Sequence, residues 1–190
     1  MNETPHSNTI VGWREWVSLP EAGVPWIKAK IDTGARTSSL HAFDVEEAQH
    51  GDTSVVRFGI HPWQETGDDA VVVELPIHDR RQVRSSSGHT EERIVVLMDV
   101  VLRGRAIPAE VTLTNRDEMG FRMLIGREAL RRGFIVDAAR SFLGGRAPRR
   151  IRRRNRGRTV VVEQRPAQPD AYRDHSDPST RMSGEVQTAG

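Results

Sequence analysis

Cysteine is absent from the 190 residues, which excludes disulfide scaffolds, thiol nucleophiles, iron–sulfur clusters and cysteine-built zinc sites. Any metal would have to rest on histidine and carboxylate. Lysine and tyrosine are nearly absent as well, with two Lys and one Tyr, so little titrates between pH 7 and 10. The pI near 9.6 therefore overstates a formal charge of only +2. No apolar run approaches the ~18 residues of a membrane span, and Met1 to Ile10 has neither the basic nor the apolar segment of a secretory leader. A soluble, cytoplasmic protein with no membrane partner is expected.

What is present suits one domain plus about forty further residues. Charge divides them: residues 1–145 carry 17 Lys+Arg against 21 Asp+Glu, whereas 146–190 carry 11 against 5. Up to Leu143 short apolar runs alternate with turn residues, the pattern of strands. Strands are predicted over Thr9 to Val17, Trp26 to Ile31, Ser54 to Ile60, Ala70 to Ile77, Ile94 to Leu102 and Ala106 to Thr114, with a tight hairpin turn at Arg103-Gly104-Arg105. Arg127 to Arg132 joins good helix formers to a following glycine and predicts one short helix. An all-β sandwich or closed barrel follows. Gly144-Gly145 breaks the pattern, and the eight Arg of 146–158 predict self-repulsion and no buried face. The expected organisation is a flexible N-terminus over 1–9, a domain over 10–145, and a disordered Arg-rich tail over 146–190 in which Val160 to Val162 could add one short strand.

Lys28 to Ser38, reading KAKIDTGARTS, ends a strand in Asp32-Thr33-Gly34. The carboxylate is thereby placed at a turn where backbone N–H groups can hold it, and Gly34 leaves space beside it. An ordinary strand-to-turn aspartate has the same look. About ninety residues downstream, Met123-Leu124-Ile125-Gly126-Arg127-Glu128-Ala129-Leu130 is an apolar strand running into a glycine and a short helix. Together the two segments resemble the retropepsin half of the aspartic-peptidase superfamily. Its hallmarks are Asp-Thr-Gly-Ala after an apolar strand and, later, two apolar residues before Gly-Arg and a helix. A Ser/Gly stretch suited to a flap, Val83 to Gly88, and the hairpin Ile94 to Thr114 fall in the matching order. The likeness spans roughly residues 10 to 143 and implies a closed retropepsin-like β-barrel with one short C-terminal helix.

Within that superfamily, Lys30 to Leu40, Val83 to Val95 and Arg122 to Leu130 are similar to a bacterial group labelled ATP-dependent zinc proteases. That group is associated with the ATP-grasp ligase that adds glutamates to a ribosomal protein. The residues do not support the zinc or ATP part of the label: there is no HExxH, no glycine-rich phosphate loop and no room for an ATP-grasp domain. His41, His50, His61, His78 and His89 are scattered without an i, i+4 pair, and His6 and His175 lie in the expected tails. Zinc would need residues brought together in space, with His41 or His89 near Asp32 as the nearest candidates. Neither a metal nor a cofactor is expected.

The resemblance implies an aspartic endopeptidase, which needs two aspartates sharing one proton. The chain has one Asp-Thr-Gly, since Asp52-Thr53-Ser54 lacks the glycine and precedes a strand. A homodimer would supply the second acid at a two-fold axis. Asp32 would then be general base and general acid with its mate, Thr33 would lock the two loops, and Gly34 would admit the substrate backbone. Ile125, Gly126 and Arg127 form the structural motif. Arg36 stands where retroviral relatives carry an acidic residue, so Arg127 must find another partner. Ala35, Arg36 and, from the flap, Arg84, Ser86, Gly88 and Arg93 are the expected substrate contacts. Their arginines suit an acidic peptide or a polyglutamylated protein; solvated surface arginines are the plain alternative. The Arg-rich tail has no aromatic residue among its charges to stack on bases, which leaves nonspecific attraction to polyanions, or no role at all. A second functional reading is a noncatalytic module that binds or regulates the ATP-grasp ligase or its modified substrate.

Overall fold

The computed structural model describes residues 8–84, 90–114 and 120–158. The chain divides into two units, 1–160 and 161–190, and every described residue belongs to the first. The elements run β1 (Thr9–Gly12), β2 (Arg14–Leu19), β3 (Val24–Asp32), β4 (Ser38–His41), β5 (Phe43–His50) and β6 (Thr53–Ile60). They continue with β7 (Val71–Arg84), β8 (Thr90–Leu102), β9 (Arg105–Thr114), β10 (Met123–Gly126), α1 (Arg127–Leu130), β11 (Phe134–Asp137) and α2 (Arg149–Arg154).

Strands β2, β3, β10, β4, β9 and β8 pair in that order, and β8 returns to β2 through Val17↔Leu102 and Ser18↔Val101. The chain therefore forms a closed all-β barrel, as expected. Beyond β8 the sheet continues through β7 and β6 to β5, and β7 serves both parts: Val71 to Pro76 pair with β6, and Ile77 to Arg84 pair with β8. Period-two alternation fills the interior. Val96, Met98 and Val100 on β8 lie opposite Val111, Ala109 and Ile107 on β9, all buried, while Leu97 between them is exposed. The turn between these strands is the two-residue Arg103-Gly104, both with positive φ (51° and 75°), whose twist matches that of the hairpin.

Three departures from the sequence reading have local causes. The predicted Thr9 to Val17 strand is two strands, because the chain bends at Gly12-Trp13. A Cβ on Gly12 would lie 2.5 Å from the Arg140 carbonyl oxygen, so another residue could not make that crossing. Thr9, assigned by sequence to the flexible N-terminus, is already in β1 and pairs with Phe134. Strands β4 and β5 carry no apolar alternation. Ser38 to His41 is buried throughout, and β5 is a sheet edge whose acidic residues face solvent, a common way to keep an edge from pairing further.

The fourth departure concerns the Arg-rich segment. Residues 146–158 are not a disordered extension: they include helix α2 and pack on the barrel. Ala147, Ile151 and Asn155 recur at intervals of four, giving one narrow buried stripe. Ala147 and Ile151 join Trp16 and Trp63 in a small cluster, with Trp26 and Phe142 at its margin. Asn155 Oδ1 accepts the Gln64 N–H at 3.2 Å, and Arg154 reaches Asp69 at 2.6 Å. Of the arginines in this segment Arg152 is half-buried and the others are exposed, and those of the last turn lie at the carbonyl end of the helix dipole. The path into α2 is fixed by Glu15, fully buried on β2, which accepts the N–H groups of Gly12 (2.7 Å), Leu143 (2.8 Å) and Gly144 (3.1 Å). Val160 to Val162 lie outside the described residues. Among the described residues no helix is long and apolar enough to cross a membrane.

Ile151→Ala should lower stability by about 2 kcal/mol in chemical denaturation, the lower end for a large-to-small change at a buried aliphatic site. An unstructured segment would give no change.

Candidate active site

Strand β3 alternates, with Ile27, Ala29 and Ile31 inward and Lys28, Lys30 and Asp32 outward, so its last residue delivers a carboxylate to the surface of the barrel. What holds that carboxylate is β10, inserted between β3 and β4, parallel to the first and antiparallel to the second. The register sets Ile125 beside Ile31 and Gly126 beside Asp32. The two motifs separated by some ninety residues in sequence are therefore adjacent.

Gly126 is needed for a measurable reason. A Cβ there would lie 2.4 Å from the Thr37 carbonyl oxygen and 2.8 Å from that of Arg36. The loop after Asp32 sits on this spot and is bonded to it: Arg127 N–H donates to the Ala35 carbonyl (2.9 Å), Glu128 N–H to that of Arg36 (3.1 Å), and Gly126 N–H to Ser38 Oγ (3.2 Å). Arg127, deprived by Arg36 of an acidic neighbour, donates from Nη1 to the Gly34 carbonyl oxygen at 3.1 Å. Buried Ser38 and Thr112 extend the clamp through Thr112 Oγ1 to the Ser38 carbonyl, 3.0 Å. Sequence reading missed these two residues, because a buried hydroxyl has no periodic signature.

Within the loop, Asp32 Oδ1 accepts the N–H of Gly34 (3.0 Å) and of Ala35 (3.2 Å), while Lys30 Nζ donates to Oδ2 at 3.0 Å. Burial opposes the charge, since only 23% of the side chain is exposed. The Lys30 hydrogen bond and charge, together with the two amides, outweigh that cost and hold the carboxyl below its ordinary pKa. Thr33 and Gly34 are exposed beside it.

A cavity of about 400 Å³ opens next to the loop, walled by Gly34, Ala35, Arg36 and Thr37 on one side and by Arg81, Val83 and Arg93 of the β7–β8 hairpin on the other. Arg36 and Arg93 are thus brought together around one space. Arg84 ends β7 opposite Thr90, while Ser86, Gly88 and His89 lie outside the described residues. Arg81, which sequence reading did not select, also lines the cavity. These cations have partners. Arg93 pairs with Glu91, and Arg81 pairs with Glu110 and, at 2.5 Å, Asp79. Arg81's hydrogen bond to Glu110 raises its pKa beyond the ordinary value against the effect of burial, and the hydrogen bond from Arg81 lowers that of Glu110. Arg36 is the loosest, 74% exposed and 3.9 Å from Glu128.

The same donors argue against zinc at this place. Among the described residues no three His, Asp or Glu side chains are grouped to hold an ion, and Asp32 has an ammonium group on one oxygen and amides on the other. His41 lies against His61, which stacks on Phe43 at 4.0 Å.

Residues 10–147 match the family model for the RimB-like proteins, described as retropepsin-like aspartic endopeptidases. The chain belongs to this family. Curated relatives include a protein of Shewanella pealeana, 43% identical over 136 residues (72% of this chain, 30% of that one). Another, from Parasynechococcus marenigrum, is 48% identical over 130 residues (67% of this chain, 28% of that one). Both are named "Probable alpha-L-glutamate ligase". The RimB-like chain therefore spans less than a third of the length of these relatives. Among solved structures, a Legionella pneumophila protein of unknown function superposes with a TM-score of 0.63 at 28% identity, covering 73% of this chain and 99% of that one.

Because folding lowers the pKa of Asp32, its ionisation stabilises the fold fully above the unfolded pKa of about 3.9, and that contribution is lost as pH falls through the folded value. The stability gap between the parent and Asp32→Asn should therefore be constant from about pH 5 to 7 and close below pH 4 in urea titrations. A gap independent of pH would show that the carboxylate gains nothing from Lys30 and the loop amides.

Proposed function

We propose that this chain is an aspartic endopeptidase domain that acts on acidic peptide segments as a homodimer, each copy contributing Asp32. The observation that carries the reading is the placement of Asp32: gripped on one oxygen by two loop amides, backed by β10, and beside a cavity roofed by a hairpin. A lone carboxylate cannot both take a proton from water and give one to an amide, so a second acid is required. With two copies facing, one ionised Asp32 would remove a proton from water as the oxygen attacks the carbonyl carbon. The protonated mate would donate to the carbonyl oxygen. Collapse of the tetrahedral gem-diol would then break the C–N bond: the first Asp32 would pass the proton taken from water to the departing amine nitrogen, and its mate would recover a proton from one hydroxyl as the new carboxyl group forms. Thr33, exposed beside Asp32, would bond its mate across the two-fold axis through its hydroxyl.

Two like carboxylates at close range ionise one at a time, and activity lies between the two macroscopic pKa values. Lys30 favours the ionised form and lowers that range. Lys30→Met should move the alkaline limb of the pH–rate profile upward. Asp32→Asn should cut kcat by at least about a thousandfold with the fold intact, and specific activity should fall on dilution. Undiminished turnover by Asp32→Asn would overturn the aspartic mechanism.

The arginines around the cavity support acidic segments, and polyglutamylated protein is a natural member of that class. Hydrogen bonds to charged groups contribute about 1.5–3 kcal/mol when desolvated, against 1 or less in open solvent. Arg36, with its weak exposed partner, is the cation freest to engage a substrate carboxylate. Arg36→Glu should lower kcat/KM for a glutamate-rich peptide about tenfold or more while sparing a neutral one, and the parent's preference should weaken as salt rises.

The names of the longer relatives favour a second reading, a module that holds or regulates a glutamate ligase or its product. Asp32→Asn separates the two, because an adaptor would keep its binding and lose nothing else.

A further inference from the structure

The outer side of β2 and β3 meets the segment that carries α2 at a second cavity, of about 230 Å³. Five cations line it: Arg14, Lys28, Arg146, Arg152 and Arg156. None of the lining residues is acidic. Lys28 lies four residues before Asp32 on β3, about 13 Å along the strand, so this space is separate from the candidate active site.

The lining cations have no acidic residue among them in the cavity wall, and one of them is held in place. The Arg14 guanidinium lies 4.4 Å from the Trp13 ring centre and 5.1 Å from that of Phe142, which fixes its plane. Its Nε is fully buried and makes no hydrogen bond, and the same is true of the Nε of Arg152, another lining residue. A buried, unsatisfied N–H on a charged group is costly. Crowding is visible at Lys28 as well. Burial and then the charge of Arg14 lower its pKa, Glu65, an exposed residue, pulls it back, and Arg156 lowers it further.

We propose that this cavity binds a compact polyphosphate, a di- or triphosphate either free or at the end of a nucleotide. Guanidinium edges offering Nε–H and Nη–H match tetrahedral phosphoryl oxygens two at a time. Five positive charges around a space this small call for three or four negative charges in few atoms. Two or three phosphoryl groups supply that density, whereas side-chain carboxylates carry one charge each and bring a backbone with them. The ligand would pair with the guanidinium groups that line the cavity, from Arg14 on β2 and from Arg152 and Arg156 in the segment of α2, and so tie α2 to the barrel. This inference does not depend on the peptidase reading, and its test does not use hydrolysis.

Isothermal titration of the full chain with orthophosphate, pyrophosphate, tripolyphosphate, ATP and hexaglutamate, at one ionic strength, tests it. Tripolyphosphate or ATP should bind at one site per chain, at least tenfold tighter than orthophosphate or hexaglutamate. Equal affinity for the two would identify a free polyphosphate as the ligand. Tighter ATP binding with a change in tryptophan fluorescence, reporting Trp16 in the cavity wall, would identify a nucleotide. Arg14→Gln and Arg152→Gln should each weaken binding at least tenfold, and Arg153→Gln, exposed on the same helix and outside the cavity, should leave it within twofold. Arg156→Gln, on the exposed rim, serves where Arg14→Gln fails to fold. The proposal is overturned by no saturable binding, by hexaglutamate binding as tightly as tripolyphosphate, or by Arg153→Gln losing as much as Arg152→Gln. The last result would mean diffuse attraction to an Arg-rich helix.

Discussion

Backbone packed against backbone at Gly126 is the contact on which the candidate active site depends. The Arg36 and Thr37 carbonyls occupy the place of a side chain there, and this approach lets the N–H groups of Arg127 and Glu128 bond the loop. With the loop fixed, the amides of Gly34 and Ala35 point at Asp32, and the carboxylate has one orientation. Any Cβ at residue 126 would push the loop away, and the chain of consequences from barrel closure to carboxylate geometry would fail at its first step.

Both motifs could be read from the sequence because each couples an apolar strand to a residue with a special backbone demand. The barrel was legible because β3, β8 and the first half of β9 bury alternate residues and declare their period. Residues whose stability comes from polar contacts were hidden. Glu15 reads as one acid in a strand, yet it is fully buried and accepts three N–H groups. Ser38 closes the Asp-Thr-Gly segment and Thr112 falls within a predicted strand, and nothing in either position signals that they lock the strands around the site. Helix α2 was missed because eight arginines mask a stripe of Ala147, Ile151 and Asn155, three residues whose spacing by four was the available signal.

Charge is handled in three ways within a small volume. At Glu15 the carboxylate is removed from water and satisfied by amides, which fixes the course of the chain. At Asp32 amides and an ammonium hold the ionised form near the surface, where reagents can reach it. At Arg81, Asp79 and Glu110 a cation is compensated by two anions and braces the hairpin over the cavity. A cation so compensated has little attraction left for a ligand, which is why the proposal for an acidic substrate rests on the loosely paired Arg36 more than on the better-ordered arginines.

The insertion of β10 between β3 and β4 also sets an order of events during synthesis. Strands β3 and β4 have no direct pairing with each other, and the strand that joins them is made about ninety residues later. Hairpins such as β8–β9 can form as soon as they leave the ribosome, but the Asp32 loop has nothing to rest on until Met123 to Gly126 arrive. The carboxylate proposed to cut peptide bonds is therefore assembled among the last parts of the barrel. A nascent chain passes its period of greatest exposure, its own and that of neighbouring nascent proteins, without a formed site.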